Sequence, residues 1–285
     1  MRGSQLGTMT SPSSASETID NWDSHWSDFG EAISSNPAQV MRHNLVIRLF
    51  AGERPSPKSN VIDFGSGHGD FLEKFHRRFP EMNLLGLELS ETGVQISRRK
   101  VPAASFLTAD LFKPPAGLAE YEGWGEYAVC CEVLEHVDDP VRFLEVAGTY
   151  LKDGATLFVT VPGGKMSALD RFIGHRRHFD RELIRKVLEE AGFGVTKVML
   201  AGFPFFNLYR LMIIARGDKL TTDIKSRSWL FRTLLATMSR IFLLLFQLNL
   251  RDSPFGWQVV AVARKKPSDL PASDATQHQP SPTAI

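Results

Sequence analysis

Val61-Ile-Asp-Phe-Gly-Ser-Gly-His-Gly69 is an apolar run that enters a turn with glycine at every second position, and a helical pattern starts at Asp70. Four residues with two β-branched members suit a short buried strand. Glycine lets the chain turn sharply there and lets a ligand approach the backbone closely. Backbone amides at the start of the following helix are free to hold a polar or negative group.

The pattern repeats outward from this stretch. Strands are expected at Leu84–Glu88, Ala104–Ala109, Tyr127–Cys131, Thr156–Val161, Val195–Ala201 and Gln258–Arg264. Helices are expected at Asp70–Phe79, Glu91–Lys100, Pro140–Leu151 and Arg181–Ala191. Strands alternating with helices predict an α/β fold: a Rossmann-like, seven-stranded, mostly parallel sheet with helices on both faces. Upstream, Ile19 to Phe50 reads as helical. Trp22 and Trp26 share a helix face, and Asn36-Pro37 marks a helix start. The expected organisation is a disordered tail over 1–18, an N-terminal helical segment over 19–57 and a core over 58–203. A helical cap over 204–256, the last core strand over 257–265 and a second disordered tail over 266–285 complete it.

Acidic residues recur beside the strand ends. Glu88 closes the second strand, 21 residues after Gly67, where a ribose diol would be gripped. Asp110 follows the third strand and can accept from an adenine amino group. Asp63 lies two residues before the first glycine. In open α/β sheets the crevice outside the carboxyl ends of the strands takes the ligand. A helix cap or turn is the alternative role for each acid alone. Two ligands compete, a dinucleotide and S-adenosylmethionine. The dinucleotide fingerprint is G-x-G-x-x-G, whereas here the third glycine comes one residue early. Asp63 would face a pyrophosphate with the wrong charge and suits an amine-bearing, cationic ligand. Both points favour S-adenosylmethionine.

These segments, with Gly86-Leu-Glu88, Ala109-Asp-Leu111 and Cys131-Glu-Val-Leu-Glu-His-Val137, resemble the successive motifs of class I methyltransferases. The last run is similar to the ubiquinone-biosynthesis O-methyltransferases and their relatives. Gly174-His-Arg-Arg-His178, followed by a helix and Ala191-Gly-Phe193, resembles the same broad group. The resemblance spans about residues 60–200, half the chain. It implies a cofactor site made by Asp63, Gly65, Gly67 and Gly69, with Gly65 under the methionine part. Glu88, with Leu89 beside it, would hold the ribose hydroxyls. Asp110 with Leu111 would bracket the adenine, and Cys131 would lie against the methionine part. Arg42 is carried over as a contact to the cofactor carboxylate, with Arg48 as the alternative.

The sulfonium is already activated, so holding the nucleophile in line supplies most of the acceleration. A base is needed only for a hydroxyl or an activated carbon. His136, His175 and His178 are the candidates, a hydrogen-bonded structural role being the other reading of each. Glu132, Glu135 and His136 match an E-x-x-E-H pattern that resembles magnesium-dependent members of the ubiquinone group. On a helix these three would share a face. Magnesium is not favoured, because it takes oxygen ligands and one of these is imidazole.

The expected reaction is methyl transfer to a small, hydrophobic acceptor, at a hydroxyl oxygen in preference to nitrogen or carbon. A cofactor-binding protein without turnover is the alternative. Formal net charge is +1, and no basic groove or N/D-P-P-Y/F motif appears, so no nucleic-acid partner is expected. Cys130 and Cys131 are adjacent and sit in an apolar run, which reads as two small buried hydrophobes in a reducing compartment. Met1–Thr18 lacks the apolar stretch of a secretory signal, so a cytoplasmic location is expected. The cap holds many apolar residues, with Phe203, Phe205, Phe206, Leu211 and Met212 near its start as a wall for the acceptor. Residues 228–250 approach the length of a membrane span, but Arg232 and Arg240 interrupt them. Of the segment's two readings, one is a cap that buries its own apolar face on the domain, and the sharper is a lid over a greasy substrate that could also rest on a membrane through residues 228–250.

Overall fold

The computed structural model describes residues 22, 23, 26, 36–216 and 229–267. The tail expected over 1–18, and all but Lys266 and Pro267 of the tail expected over 266–285, lie outside the described residues, as do 217–228.

Seven strands form one sheet: β1 Asn60–Phe64, β2 Asn83–Glu88, β3 Ser105–Thr108, β4 Gly125–Cys131, β5 Leu151–Pro162, β6 Phe193–Ala201 and β7 Gln258–Lys265. Their order is β3-β2-β1-β4-β5-β7-β6. β7 runs antiparallel to β5 and β6, and the other pairs are parallel. Order reverses between β1 and β4, so the ligand crevice of the doubly wound sheet opens there. The helices are α1 Pro37–Gly52, α2 Asp70–Arg78, α3 Glu91–Lys100, α4 Pro140–Thr149, α5 Ala168–Phe172, α6 Arg181–Glu190, α7 Phe205–Arg216 and α8 Trp229–Leu245.

Local chemistry sets the helix starts. Asn36 caps α1 by accepting from the Ala38 amide, with Pro37 in the first turn. Asp139 caps α4 in the same way, ahead of Pro140. That cap also explains a departure from expectation. Residues 132–136 form turns, not a helix, because the helix signals lie at 139–140. Glu132 instead takes φ = 57°, a conformation uncommon for a residue with a side chain. The short helix α5 gave no apolar period. It rests on a capping box between Ser167 and Asp170.

One face of the sheet is sealed by α1, α2 and α3. Phe50 is fully buried against Phe75, Phe79 and Tyr127, with ring centroids 4.7–4.9 Å apart. The other face holds the larger cluster, in which Ile62, Leu85, Leu144, Leu157 and Leu188 are buried. The chain leaves β6 through α7 and α8 and returns as β7. This excursion packs Phe206, Phe242 and Phe246 on Ala38 and Met41 of α1, so α1 joins the sheet to the cap.

Candidate active site

At the carboxyl end of β1 the glycine turn is pinned to β2. The amides of Gly65 and Ser66 donate to the Leu87 carbonyl at 2.8 and 3.0 Å. Gly65 has φ = 77°, and a Cβ there would lie 2.4 Å from Val133 Cγ2. Gly67 has φ = 56°, and its Cβ would lie 2.8 Å from the Trp26 ring. No other residue satisfies both the dihedral and the space. Gly69 completes the turn and precedes α2 without a side-chain cap, which leaves that helix's first amides toward the cradle.

Glu88 is buried at the end of β2. Its Oε2 accepts from the Gly67 amide at 2.8 Å and its Oε1 from the Ser90 amide at 3.0 Å. Burial raises its pKa, while these two amides oppose the shift. Asp63 lies within β1, one residue before its end and beneath the turn. Burial and the neighbouring Glu88 push its carboxyl up to about 8. Asp63 Oδ2 and Ser66 Oγ are buried with no hydrogen-bond partner. A carboxyl buried in this state is costly unless something pairs with it. A ligand with an amine and neighbouring hydroxyls fits these groups and the open glycine cradle, as S-adenosylmethionine does.

Asp110, Leu89 and Cys131 stand at or just past the carboxyl ends of β3, β2 and β4. Asp110 follows β3, and its Oδ1 accepts from the Phe112 amide at 2.9 Å. Leu111 is buried beside it, whereas Leu89 is largely exposed. Cys131 ends β4 in register with Thr160, and burial together with Asp63 raises its thiol pKa. Of the two candidate arginines, Arg42 stands at the site, its Nε 3.5 Å from Glu132 Oε2. Arg48 faces elsewhere, lining a cavity with Lys197, Met199 and Arg251.

Opposite the turn, four chain segments converge. His178 Nδ1 lies 3.1 Å from the Gly164 carbonyl, which can only accept, so Nδ1 carries the proton. His178 Nε2 then accepts from His175 Nδ1 at 3.2 Å, which leaves the lone pair of His175 on Nε2. Burial, with His136 next, lowers the His175 pKa to about 3, so its ring is neutral at neutral pH. Asp170 sits beside both rings and accepts from Arg210 Nη2 at 2.8 Å. The His136 ring is 4.8 Å from that of His175 and 5.0 Å from Trp22. Three residues of the N-terminal segment reach this region. Trp22 meets His136, Trp26 lies 4.7 Å from His68, and Asp23 accepts from the Thr92 amide at 3.0 Å.

Two side-chain groups among the described residues bring ligand atoms within 4.8 Å of one another. They are Glu135 with His136 and His175, and Asp170 with His175 and His178. Glu132, expected to join a metal with Glu135 and His136, belongs to neither. Its carboxylate is taken by Arg42, Thr160 and Gln258. One carboxylate with two imidazoles does not suit magnesium.

The cap contributes differently from the expected wall. Leu211 and Met212 are 50% and 40% exposed, and Leu211 lines a surface groove with Phe203 and Leu208. Phe206 and Asn207 of α7 are buried, and Tyr209 and Arg210 are half-buried. Tyr209 Oη meets Asn36 Oδ1 at 3.3 Å, and burial raises its hydroxyl to about 12. Sequence reading missed Asp170, Tyr209 and Arg210. Only the capping-box spacing Ser167–Asp170 carried a local signal for any of them.

Comparison with known proteins agrees with this geometry. The profile of the methyltransferase domain family matches residues 38–198. The ubiquinone biosynthesis O-methyltransferase of Acinetobacter baylyi is 28% identical over 156 residues, 54% of this chain and 62% of that protein. The chain thus spans about three-fifths of the length of this curated relative. Among solved structures, the phosphoethanolamine N-methyltransferase 2 of Haemonchus contortus, bound to S-adenosyl-L-methionine, superposes with a TM-score of 0.50 at 15% identity. It covers 75% of this chain and 50% of that one. The [4+2]-cyclase SpnF gives a TM-score of 0.53 at 16% identity, over 78% and 80% of the two chains. Likeness at these identities establishes the fold. The family match covers more than half of the 285 residues and contains the glycine turn, Glu88, Asp110 and the histidine loop. The chain belongs to the methyltransferase domain family, and its sheet has the Rossmann-like fold of the solved structures it resembles.

Proposed function

We propose that the enzyme methylates a hydroxyl oxygen of a small acceptor that carries an apolar part. The observation that carries this reading is the oriented imidazole pair opposite the glycine turn. A hydroxyl must lose its proton as it attacks, whereas a neutral amine need not. His175 is neutral, and its free lone pair is set by the chain Gly164 carbonyl, His178, His175. Bound S-adenosylmethionine supplies an electrophilic methyl carbon and leaves as S-adenosylhomocysteine. The protein's part is to hold the acceptor oxygen in line and to take its proton on His175 Nε2. Trp22, whose ring meets that of His136 edge to face at 5.0 Å, adds apolar surface beside the pair. The A. baylyi relative is by name an O-methyltransferase, which supports the same choice.

The test is transfer of labelled methyl groups from S-adenosylmethionine to paired acceptors that differ only in bearing a hydroxyl or an amine on the same apolar frame. The hydroxyl member is expected to be the substrate. Methylation of the amine alone, across the panel, would overturn the reading.

A further inference from the structure

The loop that follows α8 separates two cavities at the carboxyl end of β6. On one side, a groove of about 440 Å³ is lined by Phe203, Leu208, Leu211 and Phe255, among others. On the other, a cavity of about 330 Å³ has Leu45, Leu49 and Met199 as its apolar floor. The loop runs between them as Leu248, Leu250, Arg251, Asp252 and on to Phe255. Leu248, Leu250 and Phe255 are 66%, 52% and 64% exposed. The Leu250 amide donates to the Phe203 carbonyl at 2.8 Å, which holds this stretch of loop beside the first groove. Scattered exposed leucines need no explanation, but three large exposed apolar side chains between positions 248 and 255, beside an apolar groove, mark a contact surface.

The rim of the second cavity gives the sign of the partner. Arg48, Lys197 and Arg251 line it, and the Arg48 pKa is lowered by burial and then by Arg251. The one carboxylate there, Asp252, is paired with Arg181 and accepts from the Leu200 amide. Arg48, Lys197 and Arg251 thus outnumber the acid on the lining, and that acid is engaged by Arg181. An apolar ridge beside a cationic socket matches an interface where hydrocarbon and anionic groups lie side by side. Among the described residues no helix is long and apolar enough to cross a membrane, so the contact would be peripheral.

We infer that this face docks on an anionic bilayer, with Leu248, Leu250 and Phe255 entering the headgroup–acyl boundary and a lipid phosphate seated among Arg48, Lys197 and Arg251. The surface shares its end of the sheet with the glycine turn, so a docked enzyme would have its crevice close to acceptors dissolved in the membrane. The inference does not depend on which atom is methylated.

The test is co-sedimentation of the full chain with vesicles of phosphatidylcholine alone and of phosphatidylcholine mixed with phosphatidylglycerol. Binding is expected only to the mixed vesicles, and it should weaken with added salt. Arg48→Gln and Arg251→Gln should each lower the partition coefficient about fivefold. Leu250→Ser with Phe255→Ser should lower it at least tenfold, with cofactor affinity unchanged in all variants. These side chains are exposed, so the variants keep the fold, and unchanged cofactor affinity verifies it. Absence of binding to mixed vesicles, or binding that the four substitutions leave unaltered, would overturn the inference. So would a stable dimer in solution that Leu250→Ser with Phe255→Ser dissociates, because the face would then be an interface between copies.

Discussion

The cradle under the glycine turn and the imidazole wall opposite it are built in different ways. The cradle is made by two adjacent strands. β1 and β2 run parallel, and the turn leaving β1 is bonded to Leu87 and Glu88 of β2 through its own backbone. The wall is assembled from the turn after β4, the loop around α5, the cap helix α7 and the N-terminal segment. Its contacts are made by side chains: His175 on His178, Arg210 on Asp170, Trp22 on His136. A backbone-built site tolerates little change in sequence, because dihedrals and close approach fix the residues. A side-chain wall can be rewritten without touching the sheet. This division lets one fold keep its methyl donor and vary its acceptor.

The sharpest way to break the comparison is His175→Gln. If the two halves are independent, turnover on a hydroxyl acceptor should fall about 10²–10⁴-fold. Cofactor affinity by calorimetry should stay within about twofold. A parallel loss of cofactor affinity would show the halves to be one unit.

Glu88→Ala acts on the other half. It removes a carboxylate that bonds the turn and would grip the ribose, at an expected cost of about 2–4 kcal/mol in cofactor binding. Unchanged affinity for S-adenosylmethionine in calorimetry would remove Glu88 from the cradle. Gly65→Ala should follow at about 1–3 kcal/mol of stability in urea unfolding, since Ala is strained at φ = 77° and its Cβ meets Val133. Wild-type stability in that variant would mean that the turn relaxes freely.

Asp63 offers a test by pH. Its folded carboxyl titrates near 8, against a reference value of 3.8. The folded protein therefore keeps a proton that the unfolded chain has lost. Its contribution is most favourable below the unfolded value and declines as pH rises to about 8, then stays level. Cofactor-free protein should lose stability over this range, by an amount on the order of a few kcal/mol. Asp63→Asn should flatten that decline. An identical pH profile for the two proteins would show that Asp63 ionises normally in the fold. The smallest effect belongs to the outward side of the cap, where Leu211→Ser should change stability by less than about 0.5 kcal/mol.

The sequence by itself determined the sheet and the cradle. Strand and helix periods, the alternate glycines, Glu88 and Asp110 are local signals, and each names a backbone requirement that neighbouring residues satisfy. The course of the chain after β4 was less legible. The E-x-x-E-H spacing suggests a helix face, but Asp139-Pro140 starts the helix seven residues after Glu132 and leaves a turn in its place. The cap shows the limit most plainly. Its apolar composition is visible in the sequence, yet which side faces inward depends on where α1 lies. Only the tertiary structure placed Phe206 on Ala38 and Met41, with Tyr209 and Arg210 half-buried and Leu211 and Met212 exposed. The pairing of Asp170 with Arg210 joins positions 40 residues apart. No periodicity encodes such a pair, because it is fixed by packing between elements and not by the chemistry of either segment.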